Sequence, residues 1–158
     1  VARMRQGAWL GGNVTVPHKQ AVLPLLDRLS DDARALGAVN TIYRDGDLLC
    51  GDNTDAAGFL GHLDASAPFW QDTVRTALIL GAGGASLAIV HGLHRRGVAR
   101  IMVANRDPAR ARALADSFGT GIEAVAWEER STLVAAADLI VTEAIGGGLA
   151  WGSVVLRW

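Results

Sequence analysis

Lys19 is the only lysine in the chain, and it ends the stretch NVTVPHK, which begins at Asn13. Lysine and arginine together number 15, so every other basic residue is an arginine. An arginine side chain stays protonated at any accessible pH, whereas a lysine amine can release and accept a proton. The choice of an amine at this one position therefore indicates acid–base chemistry. A solvated charge on a helix is the alternative interpretation.

A glycine-rich stretch, GAGGAS, lies between an apolar strand predicted over Thr76–Leu80 and a helix predicted over Ala85–Arg96. Glycines allow a tight turn, and the free amides at a helix N-terminus attract the pyrophosphate of a dinucleotide. This context predicts a nucleotide site, although such a turn can also simply join a strand to a helix. The candidate cofactor-binding residues of this turn are Gly81, Ala82, Gly83, Gly84, Ala85 and Ser86.

The next predicted strand, Arg100–Ala104, is followed by the sequence NRDPAR. A ribose with a free 2′-hydroxyl usually meets an acidic side chain at this place, whereas a 2′-phosphate requires neutral or cationic neighbours. Asn105 stands in place of the acid, and Arg106 and Arg110 are spaced to clasp one phosphate. The pattern therefore favours NADP over NAD. Asp107 would repel a phosphate, but before Pro108 it is typical of a helix N-cap.

The rest of the second half alternates strictly between strands and helices. Such alternation predicts a Rossmann-like, doubly wound parallel α/β sheet, here an incomplete one. The further elements predicted are helices over Pro108–Phe118 and Glu128–Ala137 and strands over Glu123–Trp127 and Asp138–Thr142.

The first half has the pattern of a smaller α/β domain. Its predicted strands are Gly12–Val16, Ala38–Tyr43 and Leu48–Gly51. Its predicted helices are Ala21–Leu29, Ser30–Leu36 and Ala56–Leu63, with Pro17 in a first helical turn and with caps from Asn53, Thr54 and Asp55.

Composition excludes several classes of protein. The chain has 158 residues, half of them apolar, and a formal net charge of −1. It has no basic face for nucleic acid and no apolar run long enough for a membrane span. Cys50 is the single cysteine, which predicts a buried thiol in a reducing cytoplasm. His91 and His94 lack further ligands, so no metal site is predicted.

Five sequence stretches together resemble the shikimate dehydrogenase family, in the same order and at similar spacing. They are NVTVPHK, GAVNT at residues 37–41, GDNTDAAGF at residues 51–59, GAGGAS and the pair Asn105-Arg106. The resemblance covers most of the chain, from about Gly12 to Val141. It implies a cytoplasmic enzyme that uses NADPH to reduce 3-dehydroshikimate to shikimate, in aromatic amino-acid biosynthesis.

The resemblance also implies roles for individual residues. Lys19 and Asp55 become the catalytic pair, since an ammonium can protonate the oxygen of a ketone as hydride arrives. Asn13, Thr15 and Asn40 become substrate-binding residues. For Asp55 the alternative is a plain helix N-cap, and for the other three it is hydrogen bonding to local backbone groups.

Both ends depart from the family pattern, because a serine pair is absent before Asn13 and TEAIGGGLAWGSVVLRW replaces the usual ending. We therefore expect a partial substrate domain (1–64), a linker (65–75) and a partial NADP-binding domain (76–158) with a divergent tail from about residue 143. Unpaired sheet edges predict low stability, weak or absent activity of the isolated chain, and association into a homo-oligomer. The alternative functions are an NAD-dependent quinate/shikimate dehydrogenase and a non-catalytic NADP-binding fragment.

Overall fold

The strands form one four-stranded and one five-stranded sheet within residues 1–7, 9–142 and 154–156, which are the residues that the computed structural model describes. The chain divides into two compact units between Ala56 and Ala57. Each sheet belongs to one unit. None of the described helices is long and apolar enough to cross a membrane.

The first unit is built on a mixed sheet with the strand order β1-β3-β4-β2. Neighbours β1, β3 and β4 run antiparallel, and β2 runs parallel to β4. Its core consists of Met4, Ala33, Val39, Ile42 and Leu49. The elements are α1 (Ala2–Arg5), β1 (Gly11–Asn13), β2 (Arg28–Leu29), α2 (Asp31–Leu36), β3 (Thr41–Asp45) and β4 (Leu48–Asp52), followed by α3 (Asp55–Ser66), which continues into the second unit.

The second unit is built on a sheet with the order β7-β6-β5-β8-β9. The four strands from β7 to β8 run parallel, and β9 pairs antiparallel with β8. The remaining elements are α4 (Trp70–Thr73), β5 (Thr76–Leu80), α5 (Gly84–Arg95), β6 (Arg100–Ala104), α6 (Pro108–Asp116), β7 (Ile122–Val125), α7 (Arg130–Ala136), β8 (Leu139–Thr142) and β9 (Val154–Leu156).

Helices cover both faces of this sheet. Alternate residues of a strand point to opposite faces. Ala77 and Ile79 of β5 accordingly pack in a core with side chains of α3, α5 and α6, whereas Leu78 packs in a second core with Leu133 of α7. This arrangement confirms the predicted α/β class with a parallel sheet, and the predicted bounds of β6 are those observed.

The prediction of a helix over Ala21–Leu29 is wrong. This segment forms turns, a short 3-10 helix at Leu23–Leu25 and then β2. Pro24 explains the error, because a proline inside an α-helix removes one backbone hydrogen bond and clashes with the preceding turn. Consequently Pro17 does not start a helix either, and Lys19 lies in a turn rather than at a helix N-terminus.

The remaining differences concern boundaries. The strand predicted over Gly12–Val16 is shorter, at Gly11–Asn13, and the segment predicted as a linker contains the end of α3 and all of α4. Most of the tail predicted to diverge, including Gly146–Gly148, Trp151 and Trp158, lies outside the described residues. Within it, the backbone of Val154–Leu156 forms β9.

Asp27 ties the segment before β2 to α1 and β4. The Arg5 guanidinium donates to its two carboxylate oxygens at 2.9 and 3.0 Å, and the amide of Leu49 donates at 2.8 Å. These hydrogen bonds, that of Arg5 first, lower the pKa of Asp27 below its ordinary value of 3.8. Acid should therefore weaken the first unit.

We expect the free energy of unfolding to fall as the pH drops below about 4. The unfolded chain takes up the Asp27 proton first, so the stabilisation is complete above the unfolded pKa and is lost as the pH falls through the folded pKa. Urea denaturation at several pH values should show a shallower loss for Asp27→Asn than for the wild type. Asp47→Asn, which changes a fully exposed carboxylate, is the control and should keep the wild-type slope. Equal slopes for all three proteins would contradict this assignment.

Candidate active site

Lys19 and Asp55 form an ion pair in the first unit. The Lys19 Nζ donates to the Asp55 Oδ2 at 2.6 Å. The two side chains are 28% and 24% exposed, so the pair is partly shielded but accessible to a small molecule. An ammonium has three N–H donors. The one directed at Asp55 leaves two for a substrate oxygen.

Backbone hydrogen bonds hold the two partners of this pair in place. The amide of Val39 donates to the carbonyl of Lys19 at 2.8 Å, which fixes the turn that carries the lysine. Asp55 is the first residue of α3, and its amide donates to the Oδ1 of Asn53 at 3.1 Å. Asn53 is itself buried and donates to the carbonyl of Ala38 at 3.0 Å. Asn53 thus supplies the cap at the start of α3, which leaves the Asp55 carboxylate available to Lys19.

Asn40 occupies the other side of the Asp55 carboxylate. Its Nδ2 donates to the Asp55 Oδ1 at 2.8 Å and to the Thr54 Oγ1 at 3.1 Å. Its Oδ1 accepts from the Thr54 amide at 3.1 Å and from the Thr41 hydroxyl at 2.9 Å. A primary amide has two donors and one acceptor oxygen with two lone pairs. Local groups therefore use all of the Asn40 side chain, which orients Asp55.

Asn13 and Thr15 lie beside this network. Asn13 pairs with Thr41 across β1 and β3, and the amide of Val14 donates to the carbonyl of Asn40 at 2.7 Å. Both candidate side chains are exposed. Among the described residues, neither makes a side-chain hydrogen bond. Their polar groups are consequently open to a ligand.

Thr54 and Thr41 are the members of this site that sequence reasoning missed. Thr54 was expected only as a cap residue of α3, yet both its amide and its hydroxyl contact Asn40. The sequence could have indicated both residues by their position, since Thr41 directly follows Asn40 and Thr54 directly precedes Asp55. Pairing of Thr41 with Asp52 in adjacent strands brings these two stretches together.

The glycine-rich turn joins β5 to α5 directly. Gly81 has a φ of 127°, which favours glycine, and its amide donates to the carbonyl of Ala104 at 2.9 Å. Gly83 is the extended N-cap of α5, and no side chain caps that helix. The first amides of α5 therefore remain candidates for binding an anion.

Ser86 lies in the first turn of α5 and is 1% exposed. Its hydroxyl is the buried side-chain polar atom that has no hydrogen-bond partner within the described part of the chain. A buried hydroxyl without a partner is unfavourable in an apolar setting.

The residues after β6 have separate contacts. Asp107 accepts from the amide of Ala109 at 3.0 Å, which confirms that it caps α6. Asn105 donates to the carbonyl of Asp107 at 2.9 Å. The Nε of Arg110 lies 3.7 Å from the Asp107 carboxylate, whereas the Arg106 guanidinium lies over the ring of Trp127, 5.6 Å from its centroid. The two arginines thus have different neighbours.

Trp127 is a contact of Arg106 that sequence reasoning missed. The sequence predicts it as the end of a strand, but β7 ends at Val125 and a 3-10 helix begins at Trp127. Arg106 and Trp127 each follow the carboxyl end of one of two neighbouring parallel strands. This shared position could have predicted that the two residues are neighbours, because the carboxyl ends of parallel strands meet at one edge of the sheet.

Two family models match the chain. One, the shikimate dehydrogenase substrate binding domain, matches residues 1–42, and the other, shikimate / quinate 5-dehydrogenase, matches residues 65–147. The matched ranges fall on the mixed sheet and on the parallel sheet. Each half of the chain is therefore similar to one part of the same family.

Curated relatives agree with these matches. The chain is 50% identical to the shikimate dehydrogenase (NADP(+)) of Brucella abortus strain S19 over 146 residues, which are 92% of this chain and 50% of that protein. It is 48% identical to the enzyme of that name from Rhodopseudomonas palustris strain TIE-1, over 89% of this chain and 50% of that protein. The chain thus spans about half the length of the curated relatives it matches.

Solved structures show the same likeness. Quinate dehydrogenase from Corynebacterium glutamicum, in complex with NAD, has a TM-score of 0.82 and 34% identity, covering 91% of this chain and 54% of that one. Shikimate 5-dehydrogenase from Thermus thermophilus, in complex with NADP(H) and shikimate, has a TM-score of 0.74 and 39% identity, covering 90% of this chain and 52% of that one.

Proposed function

The chain belongs to the shikimate dehydrogenase family, and we propose that it carries the catalytic pair and the nucleotide site of an NADP-dependent enzyme that interconverts 3-dehydroshikimate and shikimate. This reaction is a step of aromatic amino-acid biosynthesis. The observation that carries the proposal is the 2.6 Å contact between the Lys19 Nζ and the Asp55 carboxylate, which links residues 36 positions apart in the sequence.

Lys19 is proposed as the proton donor for the ketone oxygen. NADPH held at the glycine-rich turn of the second unit would supply the hydride for the carbonyl carbon, and the ketone oxygen would then gain negative charge beside Lys19. The Lys19 ammonium donates a hydrogen bond to the oxygen and then transfers its proton. In the reverse direction the neutral amine accepts the proton of the hydroxyl. Such positioned acid–base groups typically contribute about 10²- to 10⁴-fold to a rate.

Asp55 and Asn40 are proposed to keep this amine in place. The Asp55 carboxylate holds the Lys19 ammonium through one oxygen and accepts from the Asn40 amide through the other. Asn40 therefore restrains the rotation of the carboxylate and, through it, the position of the Nζ. Asn13 and Thr15, whose side chains are exposed beside the network, are proposed to bind hydroxyl groups of the substrate.

The second unit fits a dinucleotide at the carboxyl ends of its parallel strands. The backbone amides at the uncapped start of α5 offer hydrogen bonds to a pyrophosphate, and the buried Ser86 lies at the fingerprint position where a small residue allows the helix to pack closely on the strand. The positive φ of Gly81 bends the chain between β5 and this helix. These features support cofactor binding by Gly81, Ala82, Gly83, Gly84, Ala85 and Ser86.

Asn105, Arg106 and Arg110 support NADP rather than NAD. No acidic side chain stands at position 105 to bind a free ribose 2′-hydroxyl. The nearby acid, Asp107, accepts from the amide of Ala109 and lies 3.7 Å from the Arg110 Nε, and within the described residues it forms no ion pair with Arg106. The positive charge of Arg106 is therefore available for a 2′-phosphate.

We expect the full-length protein to oxidise shikimate with NADP⁺ at a kcat/KM at least about tenfold above that with NAD⁺, because hydrogen bonds to a charged group contribute about 1.5–3 kcal/mol. The measurement is the formation of reduced nicotinamide, followed by absorbance with each nucleotide in turn.

Quinate in place of shikimate is the control substrate for this assay. A preference for quinate with NAD⁺ would replace the proposal with the quinate dehydrogenase alternative. Binding of NADP⁺ without turnover of either substrate would instead support a non-catalytic nucleotide-binding protein. A preference for shikimate over quinate, together with a preference for NADP⁺ over NAD⁺, would exclude both alternatives.

A further inference from the structure

Two arginines share the indole ring of Trp127 at the edge of the parallel sheet. The guanidinium carbon of Arg106 lies 5.6 Å from the ring centroid and that of Arg130 lies 4.8 Å from it. Arg130 also donates through its Nη1 to the carbonyl of Trp127 at 2.8 Å. These three side chains are named here the Arg-Trp-Arg cluster.

The sheet determines where this cluster lies. In the parallel pair β6 and β7, Ala104 lies opposite Val125. Arg106 and Trp127 each come two residues after these partners, so both leave the same carboxyl edge. Trp127 packs against a buried core that contains Leu78 and Met102, which anchors the indole in the fold. The ring is therefore a fixed support for a long arginine side chain.

Stacking on a ring leaves a guanidinium free to bind an anion. A guanidinium attracted to a ring face can still donate N–H groups to an anion, and in Arg130 the Trp127 carbonyl already accepts one of them. Within the described residues, no carboxylate lies at ion-pair distance from Arg106, unlike Arg110 with Asp107. A dianion that binds beside this ring would be attracted by the positive charges of both arginines.

We propose that Trp127 is a positioning residue that holds Arg106 for the 2′-phosphate of the nucleotide, with Arg130 as a second cation, and that it thereby determines selectivity for phosphorylated dinucleotides. This inference rests on the proposed function, since it concerns the same nucleotide site. It assigns Trp127 and Arg130 a part in selectivity in addition to their packing.

The test compares 2′,5′-ADP with 5′-AMP, two probes that differ only in the 2′-phosphate. In calorimetric titrations of the full-length protein, Trp127→Leu should weaken binding of 2′,5′-ADP about fivefold, the value of a cation–π contact at a partly exposed site. Binding of 5′-AMP should change by less than about twofold, because that probe does not use Arg106. Trp127→Phe keeps an aromatic face and should retain most of the selectivity.

A double-mutant cycle separates positioning from a general structural effect. In an Arg106→Ala background, Trp127→Leu should change the ratio of the two affinities less than it does in the wild type, because only Arg130 then remains beside the ring. Thermal denaturation of each variant reports any loss of stability independently. Arg130→Ala should also lower the affinity for 2′,5′-ADP and leave that for 5′-AMP nearly unchanged. If the Trp127→Leu protein is unfolded, the comparison is made with Trp127→Phe and Arg130→Ala.

Two different failures are distinguishable. If the wild type selects 2′,5′-ADP and the Trp127 and Arg130 variants keep the same selectivity, the inference is wrong and the proposed function stands. The inference is also wrong if Trp127→Leu has an equal effect in the Arg106→Ala background. If the wild type does not distinguish the two probes, the proposed preference for NADP fails and the inference fails with it.

Discussion

Replacing Lys19 with alanine should reduce kcat for shikimate oxidation about 10³-fold, while KM changes little, because proton transfer by a positioned group contributes about 10²- to 10⁴-fold. The variant removes the only amine that contacts Asp55 among the described residues. The substrate hydroxyl then has no base at that position, whereas the groups proposed to bind the substrate remain. Steady-state kinetics with NADP⁺ and shikimate give both parameters.

Lys19→Arg separates charge from proton transfer. Arginine keeps the ion pair with Asp55 but stays protonated, so it can orient an oxygen without accepting its proton. We expect this variant to be nearly as inactive as Lys19→Ala. His18→Ala is the matched control, because His18 is the exposed neighbour of Lys19 and has no role in the proposal. If Lys19→Ala kept more than about a tenth of the wild-type kcat, Lys19 would not be the proton donor.

Local patterns predicted the second unit well because its strands and helices are repeated and strongly patterned. The apolar strand over Thr76–Leu80 and the strand over Arg100–Ala104 have the predicted bounds. Residues in a strand buried on both faces are apolar without alternation. The glycine turn between β5 and α5 is likewise a local feature, since the φ of Gly81 depends on the turn itself.

Nonlocal contacts were harder to predict. The apolar spacing over Ala21–Leu29 indicated a helix, but Pro24 and the contacts of Lys19 and Asp27 with Val39 and Leu49 determine the observed turns. Proximity of Lys19 to Asp55 followed from the family resemblance and the chemistry, not from spacing. No local pattern linked Arg106 to Trp127, because a contact between ends of adjacent strands depends on the register of the sheet.

Asn40 shows what only the structure can add to a predicted site. Sequence reasoning offered two roles for it, substrate contact or hydrogen bonding to local groups. The structure shows its side chain bonded to Thr41, Thr54 and Asp55. These bonds support a positioning role, and direct contact with substrate stays a prediction that would require one of them to be exchanged.

Gly51→Val should lower the free energy of unfolding of the first unit by about 2–3 kcal/mol, because adding side-chain volume to a packed core is destabilising. A Cβ at position 51 would lie 2.5 Å from the Leu26 Cδ1, 2.8 Å from the Val39 Cγ2 and 3.0 Å from the Leu29 Cδ2. Leu26 and Leu29 lie in the segment that leads into β2 and Val39 lies before β3, so the side chains of two segments must shift to admit a valine. Urea denaturation followed by circular dichroism measures the loss.

Gly61→Ala is the matched control for this substitution. Gly61 is an exposed residue of α3 and has nothing within 4 Å of an added Cβ. Alanine there should stabilise the protein by about 0.5–1 kcal/mol, because glycine is unfavourable inside a helix. Equal stability of Gly51→Val and the wild type would show that the core around β4 can repack.

The Gly51 substitution should also affect the catalytic pair, which connects packing with chemistry. Val39, whose Cγ2 would be displaced, donates its amide to the carbonyl of Lys19 at 2.8 Å. Gly51 also lies just before Asp52, whose carbonyl accepts from the amide of Asn40 at 3.0 Å. The hydrogen bond that holds Lys19 and the one that holds Asn40 therefore both lie close to Gly51.

A folded Gly51→Val protein should have a reduced kcat, because small displacements of a catalytic group lower rates strongly. An unchanged kcat would show that the pair does not depend on the packing at Val39.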